Sequence, residues 1–557
     1  MTALSGPLAV HRFRQLWLAS ILSNVGSFLQ SVAAGWLMLE LTGSPVWVAA
    51  MAASTTLPLL VLALPAGALA DLANRRNVLL GAQIAMGVSV GVMAVSDSTG
   101  LVTPGLLLGL GLLLGVGVAF NAPTWQAIVP DLVPRQLVAS AVALNSVSFN
   151  VARVVGPALG GVIVATAGAG TAFAINSVTY IGVIVVLLRF RPGDWATESE
   201  SSLAAAMALG VRYARHTPTL RWLLGIAAGF AMTSSASQVL LPNLTADELG
   251  GDAWLYGALL GAMGVGAVVG AATRDLVVPR LGRRTVPAGI TIFGVSGVAL
   301  GLAPNAPLAG LAMAFGGLAW VWTLATLNAS VQLLSHPWIR GRALSLYTLS
   351  FVGLTPLGSL LAGGIAEGLG VAPTIVVLSG GALLLGLAAM WMPIVGLIEI
   401  EAHEAAEEWD AAPHGDEILV GGPVMVLNTW VIDESDLAEF LDALTELRRV
   451  RLQTGAYRWR LYRNADDPHQ MTEVFLVPSW DDHLRQHRRI DAAAADVIRR
   501  AQTFDSANGP TSRHLVAFDV GEHRNRPDWS VLAAQHRSAH SQDGSVRLDF
   551  DEEDVGM

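Results

Sequence analysis

The sequence predicts an all-α integral membrane protein of twelve transmembrane helices in two six-helix halves, followed by a small α+β domain in the cytosol. Composition is the first reason: of 557 residues, 53% are hydrophobic, 58 are glycine and only 14% are charged, where soluble domains carry roughly 25% charge. The second is length. A hydrocarbon core of about 30 Å needs roughly 20 apolar residues per helix. Such stretches recur near 15–39, 46–70, 78–97, 102–125, 138–165, 171–190, 221–244, 254–278, 286–304, 306–333, 343–367 and 371–395. The third is an abrupt change of charge: residues 1–395 hold 17 arginines against 12 acids, a net of +5, and residues 396–557 hold 16 against 31, a net of −15.

The same counts exclude other classes. High apolar content with a net charge of −10 argues against a disordered, collagen-like or nucleic-acid-binding chain. The absence of cysteine removes disulfides, thiol catalysis and cysteine-held metals. All 33 basic residues are arginine, so there is no lysine for a Schiff base or a phosphate-binding loop. No cofactor is expected. The first apolar stretch runs past 20 residues without a small-x-small cleavage site followed by a soluble domain, so it is read as a span and not as a leader.

Orientation follows from the arginines, which gather in cytoplasmic loops. With the N-terminus on the cytoplasmic side of the inner membrane, the inner loops hold Arg12, Arg14, Arg75, Arg76, Arg135, Arg189, Arg191, Arg212, Arg215, Arg221, Arg280, Arg283, Arg284, Arg340 and Arg342. The outer loops hold Glu40, Asp97, Asp247, Glu248, Asp252 and Glu367. An even number of spans returns the acidic C-terminal part to the cytoplasm. The chain also repeats itself: GALADLANRR (67–76) is answered by VVPRLGRR (277–284) about 208 residues later, and Pro134-Arg135 by HPWIRGR (336–342) about 205 later. Duplicated halves (1–190 and 221–395, joined by a cytoplasmic loop 191–220) let one central site face either side of the membrane by rocking.

Between spans 2 and 3, Gly67 permits a close turn, Asp71 can neutralise an arginine or cap a helix, and Arg75 and Arg76 anchor the loop at an anionic leaflet. The segment resembles the loop signature of the major facilitator superfamily, G-x-L-x-D-x-x-G-R-R, matching at Gly67, Leu69, Asp71, Arg75 and Arg76, with Asn74 in place of a glycine and Pro279 where the second copy needs its aspartate. The resemblance implies the major facilitator fold and a role for Asp71, Arg75 and Arg76 in switching between inward- and outward-facing states. Span 5 carries Gly156, Pro157, Gly160 and Gly161. Gly156 and Gly160 share a face that lets another helix approach, while Pro157 loosens the helix. The run is similar to the second half of the exporter signature G-x-x-x-G-P-x-x-G-G, with Asn150 and Ala152 near its first glycine. Gly257, Gly261, Gly266 and Gly270 of span 8 are its expected packing partner.

Arg153 lies about halfway along span 5 without an acid nearby in sequence. A charge at that depth costs at least ~2.5–3.5 kcal/mol and normally faces a cavity. Two readings stay open: contact with an anionic substrate group, or pairing with Gln30, Asn24 or Asn176. Asn24, Gln30, Trp36, Asn145, Asn150, Gln238, Asn243, Trp320, Trp322 and Asn328 are further candidates for a cavity lining, though each taken alone is more often interhelical glue or an interface aromatic. No acid sits at the centre of a span, so Glu40, near an outer end, is the candidate for coupling to a proton.

The segments 13–45 and 132–161 narrow the resemblance to the branch holding bacterial enterobactin exporters and related transmembrane secretion proteins, over residues 1–400. That implies efflux of a small molecule such as a siderophore, an antibiotic or another drug-like compound. After the transporter part (1–398) comes an acidic linker (399–417). Periodicity then predicts strand 423–432, helix 433–453, strands 456–464 and 471–480, helix 481–502 and strand 514–520, a β-α-β-β-α-β order. Residues 418–520 thus read as a ferredoxin-like domain, similar to the dimeric α/β-barrel domains of antibiotic-biosynthesis monooxygenases, and 521–557 as a disordered acidic tail. His483 and His487, with Trp480 nearby, have the spacing of a metal or haem site but no third ligand in sequence; a solvated or dimer-interface face is the alternative.

The expectation is secondary active export by alternating access, with a small-molecule substrate, a proton as coupling ion, the bilayer as surroundings and a homodimer through the C-terminal domain, which is regulatory or dimerising and not an enzyme. Its rivals are an importer on the same fold, a monooxygenase tethered to the membrane, and a non-transporting receptor.

Overall fold

A computed structural model of the chain describes residues 6–72, 74–190, 203–336, 338–391, 423–507 and 509–517. Contacts divide it into two units, Met1–Ala402 and His403–Met557.

The first unit is helical. Its elements are α1 (His11–Thr42), α2 (Pro45–Leu72), α3 (Arg75–Ser98), α4 (Pro104–Leu132), α5 (Val138–Leu188), α6 (Leu203–His216), α7 (Pro218–Ser234), the short α8 (Ala236–Val239) and α9 (Leu241–Asn243), α10 (Ala253–Leu281), α11 (Thr285–Gly301), α12 (Ala306–Leu334), α13 (Arg340–Thr348), α14 (Thr355–Leu369) and α15 (Val371–Ala389). Among the described residues, 10 helical segments are long and apolar enough to cross a membrane, against the twelve stretches read from the sequence. The difference has a physical origin: two of the ten are 54 and 49 residues long, because backbone bends replace loops. Gly168 breaks α5 at φ 81, and Gly282 turns α10 into α11 at φ 51, a left-handed conformation open to glycine. Large apolar side chains such as Val178 and Leu384 are well over half exposed, which suits helices whose outer surface meets lipid, where an apolar face needs no burial.

Two expected spans are not continuous helices. The stretch 221–244 is broken after α7 into α8, α9 and a π-helical turn at Leu244–Glu248. The stretch 343–367 is split by a π-helical turn, Leu349–Gly353, between α13 and α14. Pro242 and Pro356, each lacking a backbone donor, lie in the re-formed segments. The expected loop 191–220 contains α6, whereas residues 191–202 lie outside the described residues. Within each half the helices pair closely, α1 along α5, α2 along α4 and α10 along α12. The halves meet where α5 packs on α10 and α2 on α14.

The second unit is a four-stranded antiparallel sheet with helices. Its elements are β1 (Val424–Val431), α16 (Leu437–Thr454), β2 (Arg458–Arg463), β3 (Gln470–Val477), α17 (Trp480–Arg488), α18 (Ala492–Gln502) and β4 (Thr511–Val516), with strand order β2-β3-β1-β4. β1 and β3 alternate buried and half-buried residues, so one face covers a core of Trp430, Phe440, Leu444 and Leu447. The single helix expected over 481–502 is two, because Asp491 accepts a hydrogen bond from the Ala494 amide and starts a fresh helix. The expected linker and acidic tail lie outside the described residues.

Candidate functional site

A cavity of about 410 Å³ lies on the seam between the halves. Its wall draws on α1, α2, α4 and α5 from one half, and on α10 and the broken segment around Gln238 from the other. Broken helices at such a seam free backbone groups where a ligand can use them. Of the residues singled out in the sequence, Gln30, Arg153, Pro157 and Gln238 line this cavity. Among the described residues, Arg153 is the only charged one in the wall.

None of the three partners expected for Arg153 takes it. Asn176 donates through Nδ2 to Gln30 Oε1, so these two amides satisfy each other. Asn24 donates to Ser148 Oγ at 3.4 Å. The Arg153 guanidinium instead lies over the ring of Trp320, 5.4 Å from its centroid. Trp320 in turn packs among Phe230, Phe293 and Phe351, which fixes its plane.

Other expected lining residues do different work. Trp36 stacks on Tyr256, a cavity residue, and donates to Glu40 at 2.7 Å. It therefore backs the wall. Trp322 donates to the Gly270 carbonyl at 2.9 Å, tying α12 to α10. Asn328 accepts from Gln332 at 2.6 Å, and Asn150 is exposed and donates to its own helix at Ser146. Asn145 lies outside the wall, and Asn243 is fully buried behind it. Glu40 is exposed at the end of α1, away from the cavity.

The span 5 glycines are where helices touch. A Cβ on Gly156 would sit 2.5 Å from Phe28 Cβ, and one on Gly160 3.0 Å from the Leu29 carbonyl, so both serve the α1–α5 crossing. Gly161 faces the other half: its Cβ would meet Gly257 Cα and the Ala253 carbonyl at 2.7 Å. Gly257 returns the contact at 2.6 Å, and Gly261 meets Ala158. The expectation for span 8 needs correcting, since Gly266 and Gly270 face Ala314 and Leu318 of α12 instead. Gly264, against Val154, completes the α5–α10 row. A second cross-half contact joins α2 and α14 at the same end of the bundle. There Gly363 approaches Ala49 and the Pro45 carbonyl, and Ser44 donates to Glu367 at 3.0 Å.

At the opposite end lies the loop motif. Gly67 and Asp71 fall in α2, their side-chain surroundings outside the described residues. Asn74, where the family pattern has glycine, caps α3 by accepting from the Asn77 amide. Arg75 pairs with Asp131 at the end of α4, 2.6 Å apart. Arg76 is buried and donates to the Leu187 and Leu188 carbonyls, satisfying orphan groups at the end of α5. Asp131 was missed in the sequence because it lies 56 residues from its partner.

In the second unit, His483 does not lie on a solvated face: it is 2% exposed. Its Nε2 is 3.2 Å from Nε2 of His487, so one ring donates to the other, and the sheet adds His514 from β4 with its ring 4.7 Å from that of His483. Burial, then the repulsion of neighbouring imidazoles, holds His483 down at about 3. Burial and nearby Arg451 hold His487 at about 4, and burial lowers His514. All three are neutral at pH 7. Among the described residues no group of three ligands is arranged to hold a metal ion. Nearby, buried Glu473 accepts from Asn428, Arg451 and Trp459.

A family model described as transmembrane secretion effector matches residues 2–521. The chain belongs to this family. It is a membrane transporter of the major facilitator superfamily. The chain is 27% identical over 408 residues to the multidrug efflux pump Tap of Mycolicibacterium fortuitum, covering 70% of this chain and 96% of that protein. It is 24% identical over 371 residues to the staphyloferrin A transporter of Staphylococcus aureus, covering 64% and 90%. In fold it is similar to a bacterial homologue of the lysosomal transporter Spinster in an inward-facing, unoccupied conformation (TM-score 0.55, 16% identity, 70% of this chain and 100% of that one). It is also similar to the nucleoside transporter NupG (TM-score 0.56, 14% identity, 68% and 99%).

Proposed function

We propose that the chain exports a small, drug-like or siderophore-like molecule across the cytoplasmic membrane by alternating access. The observation that carries this reading is the cavity on the seam, flanked at one end by two cross-half contacts, Gly161–Gly257 and Gly363–Pro45. Parting those contacts while closing the opposite end would turn the cavity from one side to the other. The name of the efflux pump relative supports export over uptake, and that of the staphyloferrin A transporter supports a siderophore-like cargo. In this reading the two overlong helices each cross twice, giving twelve spans, and both termini are cytoplasmic. Asp71, Arg75 and Arg76 govern the switch, and the proton gradient drives it with Glu40 as the coupling acid. The second unit is a ferredoxin-like domain, its strand order being that of a split βαβ unit, with a regulatory or dimerising role.

The test compares small molecules inside and outside cells that lack the chain, carry it, or carry Asp71→Asn at equal protein level. A compound retained without the chain and released only by the active form is the expected result. Equal release by Asp71→Asn would remove the switch role, and no difference among the three strains would remove export.

A further inference from the structure

We propose that the seam cavity binds a singly anionic amphiphile, with the anionic group on Arg153 and the apolar body against the cavity wall; this deepens the export reading and rests on it for the direction of transport. Arg153 is held deep in the bundle with no ion pair or hydrogen-bond partner among the described residues. Five acids of the first unit have partners of their own: Asp131 pairs with Arg75, Glu40 accepts from Trp36, Asp97 from the Gly170 amide, Glu367 from Ser44 and Asp252 from the Leu255 amide. The Oε1 of Gln30 accepts from Asn176 and Asn24 donates to Ser148, so neither amide pair bonds Arg153.

What Arg153 does have is the face of Trp320. That contact steadies a cation through the ring quadrupole and leaves its fork of N–H donors free. A planar carboxylate matches such a fork with two parallel hydrogen bonds. The rest of the wall, with Phe28, Leu114, Leu260 and Met263, suits an apolar or aromatic body, while Thr55, Gln30 and Gln238 offer a few directional contacts. With one positive charge and no negative one among the described residues of the wall, the cavity disfavours lipophilic cations.

Equilibrium dialysis of the purified full chain in detergent tests this with three probes of similar size: 2-naphthoate, its neutral methyl ester and 2-naphthyltrimethylammonium. Wild type is expected to bind naphthoate at least about tenfold more tightly than the ester, and the ammonium most weakly. Arg153→Gln is expected to lower naphthoate binding to the level of the ester and leave the ester within about twofold, while Arg153→Lys keeps an anion preference. Equal binding of anion and ester by wild type, or an undiminished preference in Arg153→Gln, overturns the proposal. If Arg153→Gln does not purify as folded protein, the charge series on wild type decides, with Trp320→Leu expected to weaken naphthoate more than the ester. Should the anion preference stand while cells with and without the chain retain every anion alike, the export reading falls and the site stands. Export of cations at equal rates by wild type and Arg153→Gln would leave export standing and overturn the anion site.

Discussion

Replacing Gly161 by valine should part α5 from α10 at the end of the bundle where the two halves touch. A Cβ at this position would lie 2.7 Å from both Gly257 Cα and the Ala253 carbonyl, whereas ordinary carbon contacts sit near 3.5–4.0 Å. Both obstacles are backbone, so no side chain can rotate away and α5 must part from α10 by most of an ångström. Overpacking of this kind costs about 1–3 kcal/mol. The cost falls on the conformation in which the two helices touch, and a conformation in which they separate escapes it. The equilibrium should then move by roughly five- to 150-fold, at 1.4 kcal/mol per factor of ten. The natural chain has no cysteine, so Thr55→Cys in the cavity wall is a clean reporter. With both termini cytoplasmic, as proposed, its labelling by an impermeant maleimide should accelerate from the outer face and slow from the inner face in Gly161→Val. Gly182→Val on the same helix, where a Cβ meets nothing within 4 Å, is the control and should change neither rate. Unchanged labelling from both faces in Gly161→Val would show that this contact does not hold the end closed.

Asp131→Asn removes the partner of Arg75, and because that pair is partly exposed the stability loss should stay within about 1 kcal/mol. Transport should nevertheless fall by about fivefold or more if the pair steadies one state of the switch; thermal unfolding and an efflux rate measured on one preparation separate the two effects. Acid should loosen the second unit. His483 is neutral when folded and titrates near 6.5 when unfolded, so the unfolded form takes up the proton first and stability falls as pH drops from about 6.5 towards 3. The loss is at most about 1.4 kcal/mol per pH unit for this residue. Protease susceptibility of the unit in the full chain should therefore rise between pH 6 and pH 4, and His483→Gln should flatten that rise. Glu473→Gln should cost about 3–5 kcal/mol, because it leaves Arg451 beside a buried neutral group; urea titration of the same protease susceptibility reads the change, and an unaltered midpoint would show that the ion pair contributes nothing.

The membrane helices were legible because their signal is local. Hydrocarbon imposes one length and one composition on every span, and a run of apolar residues cannot hide either. The Arg75-Arg76 pair and the span 5 glycines were legible for a related reason: charge and small size are properties of the residue itself. Strand and helix order in the second unit followed from periodicity, which β1 with its alternating burial illustrates. Helix continuity was not legible. Within α5, Gly168 takes a positive φ and bends the chain whereas Gly161 stays helical and packs against α10, a difference the residue type alone does not give.

Sequence by itself determined that this chain lives in a bilayer and that an arginine lies deep among its helices. Only the tertiary structure decided what that arginine meets. Gln30, Asn24 and Asn176 were equally eligible on sequence, but a side-chain amide bonds whichever group folding brings within about 3 Å. Folding gave Gln30 to Asn176, Asn24 to Ser148 and Arg153 to Trp320, which is 167 positions away. The same holds for His514, which reaches His483 only because β4 pairs with β1. Such partnerships depend on long-range registry between elements, and registry is set by the packing of the whole fold and not by any one segment of it.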